Sequence, residues 1–183
     1  MKILDIKNWK VFYKISIIPA ITILAILFIF YFIFMPLVKK SKYKDKQENV
    51  KQTVEVAFDV VKTYYKMSRE GILKEDEAKN QAKEIIRNVR YGKDGYIWIN
   101  DYHPYMIMHP INRSLEGTDF GKVKDAKGKI FMLEMVEKVK KDGDGFVDYY
   151  WNKPGESEAS PKVSYVKGLK EWGWIIGSGI YID

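Results

Sequence analysis

The chain has 183 residues, 46% of them hydrophobic and none of them cysteine, so it is long enough for one domain with a sizeable core and cannot hold disulfides, thiolate metal sites or a cysteine nucleophile. Its net charge of +7 lies in two lysine-rich segments, residues 1–14 and 39–46. Residues 47–183 are net neutral, which excludes the broad basic face that nucleic-acid binding requires.

The first predicted element is a membrane-spanning helix over residues 15–38. These residues carry no charge and are bounded by Lys14 and Lys39. A helix needs about 20 apolar residues to cross the hydrocarbon core, whereas the apolar region of a cleaved secretory signal is shorter and ends in a small-residue site. The sequence thus predicts an uncleaved anchor, flanked by lysines that suit anionic lipid headgroups. Because both flanks are lysine-rich, charge alone does not set the orientation of the anchor.

Two helices are predicted after the anchor, a long one over residues 40–70 and a second over 75–91. In each, apolar residues recur at spacings of three and four, which is typical of an amphipathic helix. The repeating residues are Val50, Val54, Ala57, Val61 and Tyr64 in the first helix and Ala78, Ala82, Ile85 and Val89 in the second. Gly92 is interpreted as the terminator of the second helix.

From Gly95 onward the pattern predicts a β-sheet with one further helix. Five segments rich in β-branched and aromatic residues are separated by turn residues: 96–100, 105–109, 146–151, 162–167 and 174–181. A helix over 129–141 places Ile130, Leu133, Val136 and Val139 on one side. Short connections favour hairpins, so the predicted fold class is α+β: a five-stranded antiparallel sheet with the long helices gathered on one side.

The two histidines suggest different roles. His103 lies in the predicted turn "DYHP", where we expect solvent exposure. His109 precedes Pro110 at a strand end, and it is either a side chain held by its backbone neighbours or a donor to a ligand oxygen. The pair lacks the ligand spacing of a zinc site, so no metal site is predicted.

Two cations are candidates for binding an anion. Strand alternation places Lys162 and Ser164 on one face, and an inward lysine needs an anionic partner such as a bound carboxylate; the alternative is a surface lysine. Arg90 and Tyr91 end the predicted second helix. There the guanidinium can grip a carboxylate in a bidentate manner or, alternatively, complement the helix dipole.

Aromatic residues complete the candidate site. Tyr96 and Trp98 share a face of the first strand, and Tyr150 lies on a neighbouring strand. Side chains of this type form either core or the wall of a ligand pocket. The candidate ligand-binding residues are therefore Arg90, Tyr91, Tyr96, Trp98, His109, Tyr150, Lys162 and Ser164.

Sequence motifs of catalysis are absent. The chain has no "GxSxG", "HExxH" or "GxxxxGK" pattern, so we predict neither an enzyme nor a cofactor. Two alternatives to a small-molecule sensor stay open: an ectodomain that binds a partner protein and no small ligand, and a membrane-anchored hydrolase.

The folded region resembles a known family. The segments "GYIWIND", "MIMHP", "EGTDF", "DGDGFVDYYWNKPG" and "PKVSYVKGLKEWGWIIGSGIYID" are similar to successive motifs of the single Cache sensor domain, type 2-like. The resemblance covers about residues 40–183, which follow the predicted anchor. It implies a PAS-like sheet behind a long N-terminal helix, within a domain that spans residues 39–183.

The resemblance also implies a function. Family members are extracytoplasmic ligand-binding parts of bacterial and archaeal chemoreceptors, sensor histidine kinases and cyclic-dinucleotide enzymes, and they usually bind small carboxylates or similar metabolites. Residues 1–14 are then expected in the cytoplasm, with the sensor domain outside a single-pass anchor in the cell membrane. Two anchors that enter one bilayer favour a parallel homodimer. A second span and a signalling module normally follow at Asp183, so we expect a truncated input portion or an output through a partner.

Overall fold

The structure is a computed structural model that describes residues 9–182. Its helices are Trp9–Ile29 (α1), Met35–Arg69 (α2), Glu75–Asn88 (α3) and Phe131–Asp142 (α4), with a π-helical turn at Phe30–Phe34. Its strands are Arg90–Tyr91 (β1), Gly95–Asp101 (β2), Met106–Met108 (β3), Asp144–Asn152 (β4), Ala159–Leu169 (β5) and Trp174–Tyr181 (β6).

The chain divides into two compact units, with the boundary between Lys44 and Asp45. In the first unit, residues 15–38 are helical throughout, as expected for an uncharged stretch of this length. Among the described residues this is the one helical stretch that is long and apolar enough to cross a membrane.

The second unit is built on one antiparallel sheet with the order β1-β2-β6-β5-β4, and β3 pairs with β2 on a side branch. All five predicted strands are present. The α+β class with a long N-terminal helix and an antiparallel sheet is confirmed. A two-residue sixth strand, β1, was not predicted.

The predicted end of the second helix at residue 91 is wrong. Helix α3 ends at Asn88, because Val89 takes an extended backbone with φ −69° and ψ 127°. Arg90 and Tyr91 then pair with β2 across a tight turn. The positive φ of Gly92, 56°, serves this turn and not a helix terminus.

The two faces of the sheet carry two separate cores. One face of the sheet, called the helical face below, packs against α2 and α3. Its core includes Val50, Val54, Ala57, Val61, Ala78, Ala82, Ile86, Ile97, Ile99 and Tyr165. The opposite face packs α4 and includes Trp98, Phe131, Met132, Met135, Val136, Val139, Val147, Tyr149, Val166 and Ile175. Only α2 and α3 therefore share a side, since α4 covers the other.

The predicted inward stripes are correct for α2 and shifted for the other two helices. In α3, Ile86 is fully buried while Ile85 is 43% exposed. In α4, Leu133 is 37% exposed and Ile130 precedes the helix. Where two apolar residues are adjacent, spacing alone does not decide which of them faces the sheet.

Candidate functional site

The candidate site is centred on Lys162, on the face of the sheet that carries α4. Its side chain is completely buried, although it is a lysine. Three aromatic ring centres surround the Nζ atom: Tyr96 at 4.2 Å, Tyr181 at 4.8 Å and Trp98 at 5.8 Å. The ammonium donates a 3.0 Å hydrogen bond to the Tyr96 hydroxyl. Ring faces and a phenol oxygen stabilise the cation only in part.

No carboxylate of the described residues forms an ion pair with Lys162. Burial lowers the pKa of Lys162 from 10.5 to about 7, because the charged form loses its hydration. A buried ammonium that lacks a counter-ion is costly. An anion bound beside Nζ would relieve that cost and favour the protonated form.

Two glycines of β6 make room for this arrangement. A Cβ atom at Gly179 would collide with the Ser164 Oγ atom and lie 2.6 Å from Lys162 Cε. A Cβ atom at Gly177 would lie 2.6 Å from Cε2 of the Trp98 ring. The absence of side chains at both positions is therefore what lets the lysine and the indole lie against β6.

His109 forms the second polar group of the site. It is 5% exposed, and its Nδ1 atom accepts a 3.0 Å hydrogen bond from the Asn112 N–H. Burial and the nearby charge of Lys162 lower its pKa from 6.5 to about 4, so the ring is neutral at pH 7 and carries its proton on Nε2. That atom has no hydrogen-bond partner among residues 9–182, so it is a donor that remains available to a ligand.

A cavity of about 320 Å³ opens beside these groups. Tyr96 and His109 form one wall, and Ile111, Leu115 and Trp151 add apolar surface. The rim comes from residues 152–155, at the end of β4 and in the connection to β5. Lys162 does not line this cavity directly but contacts Tyr96, which does. The volume of the cavity is at the lower end of the range for ligand pockets, which suits a small metabolite.

Four of the predicted residues come together here: Tyr96, Trp98, His109 and Lys162. Ser164 is buried on the same face, where its hydroxyl donates to Tyr149 at 3.1 Å.

Three other predicted residues lie elsewhere. Arg90 is exposed, and its guanidinium donates 2.7 Å hydrogen bonds to the carbonyls of Arg87 and Val89 at the end of α3. Tyr91 lies on the helical face, with its hydroxyl 2.5 Å from Ser178 Oγ.

Tyr150 also faces away from the cavity, because its neighbours in β4 occupy the inward positions. Tyr149 and Trp151 pack with the core on the α4 side, so alternation turns Tyr150 to the opposite face. Tyr150 contributes instead to a smaller cavity of about 250 Å³ at the β4 edge, which Asp125 and Lys162 also line.

Sequence reasoning missed Tyr181, Trp151 and the two glycines of β6. The signal for three of them was present: Gly177, Gly179 and Tyr181 are spaced by two, so they share one face of a strand. What was missing is the pairing of this strand with β5, which brings Tyr181 opposite Lys162.

The exposure of His103 agrees with the prediction for its turn. Among residues 9–182 no three histidine or acidic side chains are grouped so that they could hold a metal ion.

Comparison with known proteins gives one consistent result. The family model described as Single Cache domain 2 matches residues 43–183. The methyl-accepting chemotaxis protein McpP of Pseudomonas putida is 41% identical over 77% of this chain and 26% of its own length. The chain spans between 24 and 31% of the length of the curated relatives that it matches.

Solved structures agree with the sequence relatives. One, described as the periplasmic sensor domain of a chemotaxis protein, has a TM-score of 0.76 and 40% identity over 77% of this chain and 98% of its own. Another, from work on carboxylic acid recognition by a Cache chemosensory domain, has a TM-score of 0.75 and 42% identity over 79% of this chain and 98% of its own.

Proposed function

The chain belongs to the single Cache domain 2 family, and on that premise we propose that it is the input part of a membrane receptor that binds a small carboxylate outside the cytoplasm. The receptor is a chemotaxis protein or a sensor histidine kinase. The observation that carries the ligand class is Lys162, which is fully buried among aromatic rings without a carboxylate partner among the described residues.

The chemistry of the site supports a carboxylate. His109 lines the cavity, and the Lys162 ammonium lies behind the Tyr96 ring that forms its wall, so both can donate to an anion that moves Tyr96 away from Nζ. Hydrogen bonds to an ionised ligand belong to the stronger class. Trp98 stacks beside the lysine, and Leu115 and Trp151 offer apolar contact to the rest of the ligand. A short aliphatic or hydroxylated acid satisfies both surfaces, whereas an amine would repel Lys162.

Arg90, Tyr91, Tyr150 and Ser164 have other roles in this proposal. Arg90 ties the end of α3 to the segment after His109, since it also donates to the Pro110 carbonyl at 3.4 Å. Ser164 orients Tyr149 in the core. Arg90 and Ser164 thus support the site without contacting the ligand, whereas Tyr91 and Tyr150 lie away from it.

Ligand binding provides a signal route to the long helix. The Lys46 ammonium of α2 donates a 2.8 Å hydrogen bond to the carbonyl of Tyr181 at the end of β6. The ring of Tyr181 packs against Lys162, and its hydroxyl donates to the Asn152 carbonyl at the cavity rim. An anion beside Lys162 displaces or tightens this ring, and the effect on α2 is limited by the ligand's differential affinity for the two states.

The membrane arrangement follows the same premise. Residues 1–14 lie in the cytoplasm, residues 15–38 cross the bilayer with lysines against lipid headgroups, and residues 39–183 form the sensor domain outside it. A parallel homodimer lets two such anchors enter one membrane. The protein acts by binding and not by turnover.

Thermal unfolding of the detergent-solubilised chain tests the ligand class. Carboxylates of two to four carbons should raise the unfolding temperature in a saturable way, because a ligand that binds only the folded state adds RT ln(1 + [L]/Kd) to its stability. Amines of matched size are the control and should have no effect. Stabilisation by amines alone contradicts the proposed ligand class, and the absence of stabilisation by any of these small molecules favours a protein partner. A product detected by NMR of the recovered ligand would instead indicate a hydrolase.

A further inference from the structure

Glu116 lies next to the cavity without lining it, and its carboxylate joins two parts of the molecule. Its Oε1 atom accepts a 3.0 Å hydrogen bond from the backbone N–H of His109. The same carboxylate binds the guanidinium of Arg87 on α3 through both oxygens. Arg87 is held in turn by Glu84, whose Oε1 lies 3.1 Å from Nε.

These contacts close the segment 109–116 on itself. The Glu116 side chain reaches back seven residues to the N–H of His109. Inside the segment, the Asn112 N–H donates to His109 Nδ1, and the Asn112 side chain accepts from the Ser114 N–H. The segment therefore holds the imidazole from two directions, through its backbone and through Nδ1.

Both members of the Arg87–Glu116 ion pair are charged at neutral pH. The hydrogen bond to Glu116 raises the pKa of Arg87. Burial raises the pKa of Glu116, but the hydrogen bonds from Arg87 and the His109 backbone outweigh it, so the pKa of Glu116 is lowered overall. The Arg87 side chain is 11% exposed and that of Glu116 25%. A two-point contact of this burial is geometrically specific, unlike an exposed pair.

We propose that Glu116 and Arg87 are positioning residues of the carboxylate site: they fix the segment 109–116 so that His109 presents Nε2–H to the cavity, and they anchor that segment to α3. The inference rests on the proposed function for its ligand. Its first half is independent, because the tautomer of His109 is defined in the empty protein.

The alternative is an ion pair that only adds stability. Two variants separate these roles. Glu116→Met removes both the charge and the acceptor for the His109 N–H. The double variant Arg87→Glu, Glu116→Arg restores an ion pair of opposite direction, but an arginine at 116 has no acceptor for that N–H.

The first measurement is the tautomer of His109 by ¹⁵N NMR of the empty protein. The wild type should show a single neutral form with the proton on Nε2. In Glu116→Met and in the double variant we expect averaging between tautomers, because the Asn112 contact is released with the segment. A single Nε2–H form in both variants would overturn the positioning role.

The second measurement is the affinity for propionate by calorimetry, with unfolding in denaturant alongside. Glu116→Met should bind propionate roughly tenfold more weakly, as expected for the loss of one well-placed hydrogen bond to a charged ligand. The double variant should regain part of the stability lost in Glu116→Met while its affinity stays low; recovery is incomplete because Glu84 then lies beside a second carboxylate. Recovery of affinity together with stability would show that the ion pair alone suffices.

Glu75→Met is the matched control, since Glu75 pairs with Lys79 on the same helix at 2.6 Å and touches nothing in the segment. It should leave the tautomer and the affinity unchanged. If wild-type protein binds neither propionate nor any other carboxylate, the proposed ligand class fails, and the NMR result still decides whether Glu116 positions His109.

Discussion

Lys162 and Lys167 lie five residues apart on β5 and differ in every respect that matters for function. Lys167 faces α2, where its Nζ atom lies 2.5 Å from Glu55 Oε2 and 4.6 Å from the centre of the Phe58 ring. Its side chain is 25% exposed. Lys162 faces α4, is completely buried, and has aromatic rings and a phenol oxygen as its neighbours.

Under the proposed function, the difference separates a structural cation, Lys167, from a binding cation, Lys162. Glu55 comes from another element of the fold, so its pairing with Lys167 tethers α2 to the sheet; the Tyr165 hydroxyl donates to the same carboxylate at 3.2 Å. Lys162 has no such partner among the described residues, and its burial destabilises the empty domain. A buried, unpaired lysine of this kind is typical of a functional site, where a bound anion compensates the destabilisation.

The largest expected effect is that of Lys162→Met on ligand affinity. A hydrogen bond to a charged group contributes about 1.5–3 kcal/mol, so the variant should bind carboxylates roughly tenfold to a hundredfold more weakly. The empty domain should be as stable as the wild type or more so, because an unpaired buried charge is removed. Calorimetric titration and denaturant unfolding measure the two quantities.

Lys167→Met is the control for this experiment. It removes a cation of the same size from the same strand, but on the helical face. Affinity for carboxylates should be unchanged in Lys167→Met, and a comparable loss in both variants would show that the two lysines act through fold stability alone.

The second effect is a dependence on pH. Above pH 7 the free Lys162 loses its proton, so carboxylate affinity should fall by up to about tenfold per pH unit. Stability of the empty domain should move in the opposite direction. Between pH 7 and 10.5 the unfolded chain binds a proton that the folded chain does not, so stability rises with pH. Calorimetry in buffers of different ionisation enthalpy should detect proton uptake on binding at pH 8, and affinity that stays constant from pH 7 to 9 would contradict this.

A third effect concerns the space around the binding cation. In Gly179→Ala the new methyl group would meet Ser164 Oγ and Lys162 Cε. Overpacking of this type costs about 1–3 kcal/mol of stability, and displacement of the ammonium should weaken carboxylate binding severalfold. Gly71→Ala is a suitable control, because this residue lies between α2 and α3 and its Cβ would meet no neighbour within 4 Å, although its φ of 74° adds some backbone strain. Equal affinity in Gly179→Ala and wild type would indicate that Lys162 does not touch the ligand.

The smallest effect is expected at the structural cation. Glu55→Gln keeps an acceptor for the Tyr165 hydroxyl and removes only the charge opposite Lys167. Partly exposed ion pairs contribute about 0.5 kcal/mol, so stability in denaturant should drop by this amount and carboxylate affinity should not change. A loss of several kcal/mol would mean that this pair holds α2 to the sheet far more strongly than its exposure indicates.

Sequence periodicity was sufficient for the general plan. The uncharged run of residues 15–38 identifies the membrane-spanning candidate by length alone. Alternation along β5 correctly put Lys162 and Ser164 on one face and Tyr165 on the other. Spacings of three and four correctly gave the inward stripe of α2. These features are local, so each is written within a few neighbouring residues.

Only the tertiary structure decided which of two adjacent residues faces the core. Periodicity states that Tyr149 and Tyr150 face opposite ways, but the packing of α4 is what makes the first of them inward. Adjacent apolar residues in α3 left the choice between Ile85 and Ile86 open, and burial against the sheet selects Ile86.

The candidate site depends most on contacts that no local pattern contains. Lys162 meets Tyr96 across 66 residues, and Arg87 meets Glu116 across 29. The sequence by itself determined the membrane-spanning candidate, the fold class and the shared face of Lys162 and Ser164, because those follow from residue spacing. The inward direction of Lys162 and the rings around it were decided by tertiary structure, because both depend on which distant surfaces come into contact. The tautomer of His109 and the pairing of Arg90 and Tyr91 with β2 depend on contacts between near neighbours, but apolar spacing does not predict them.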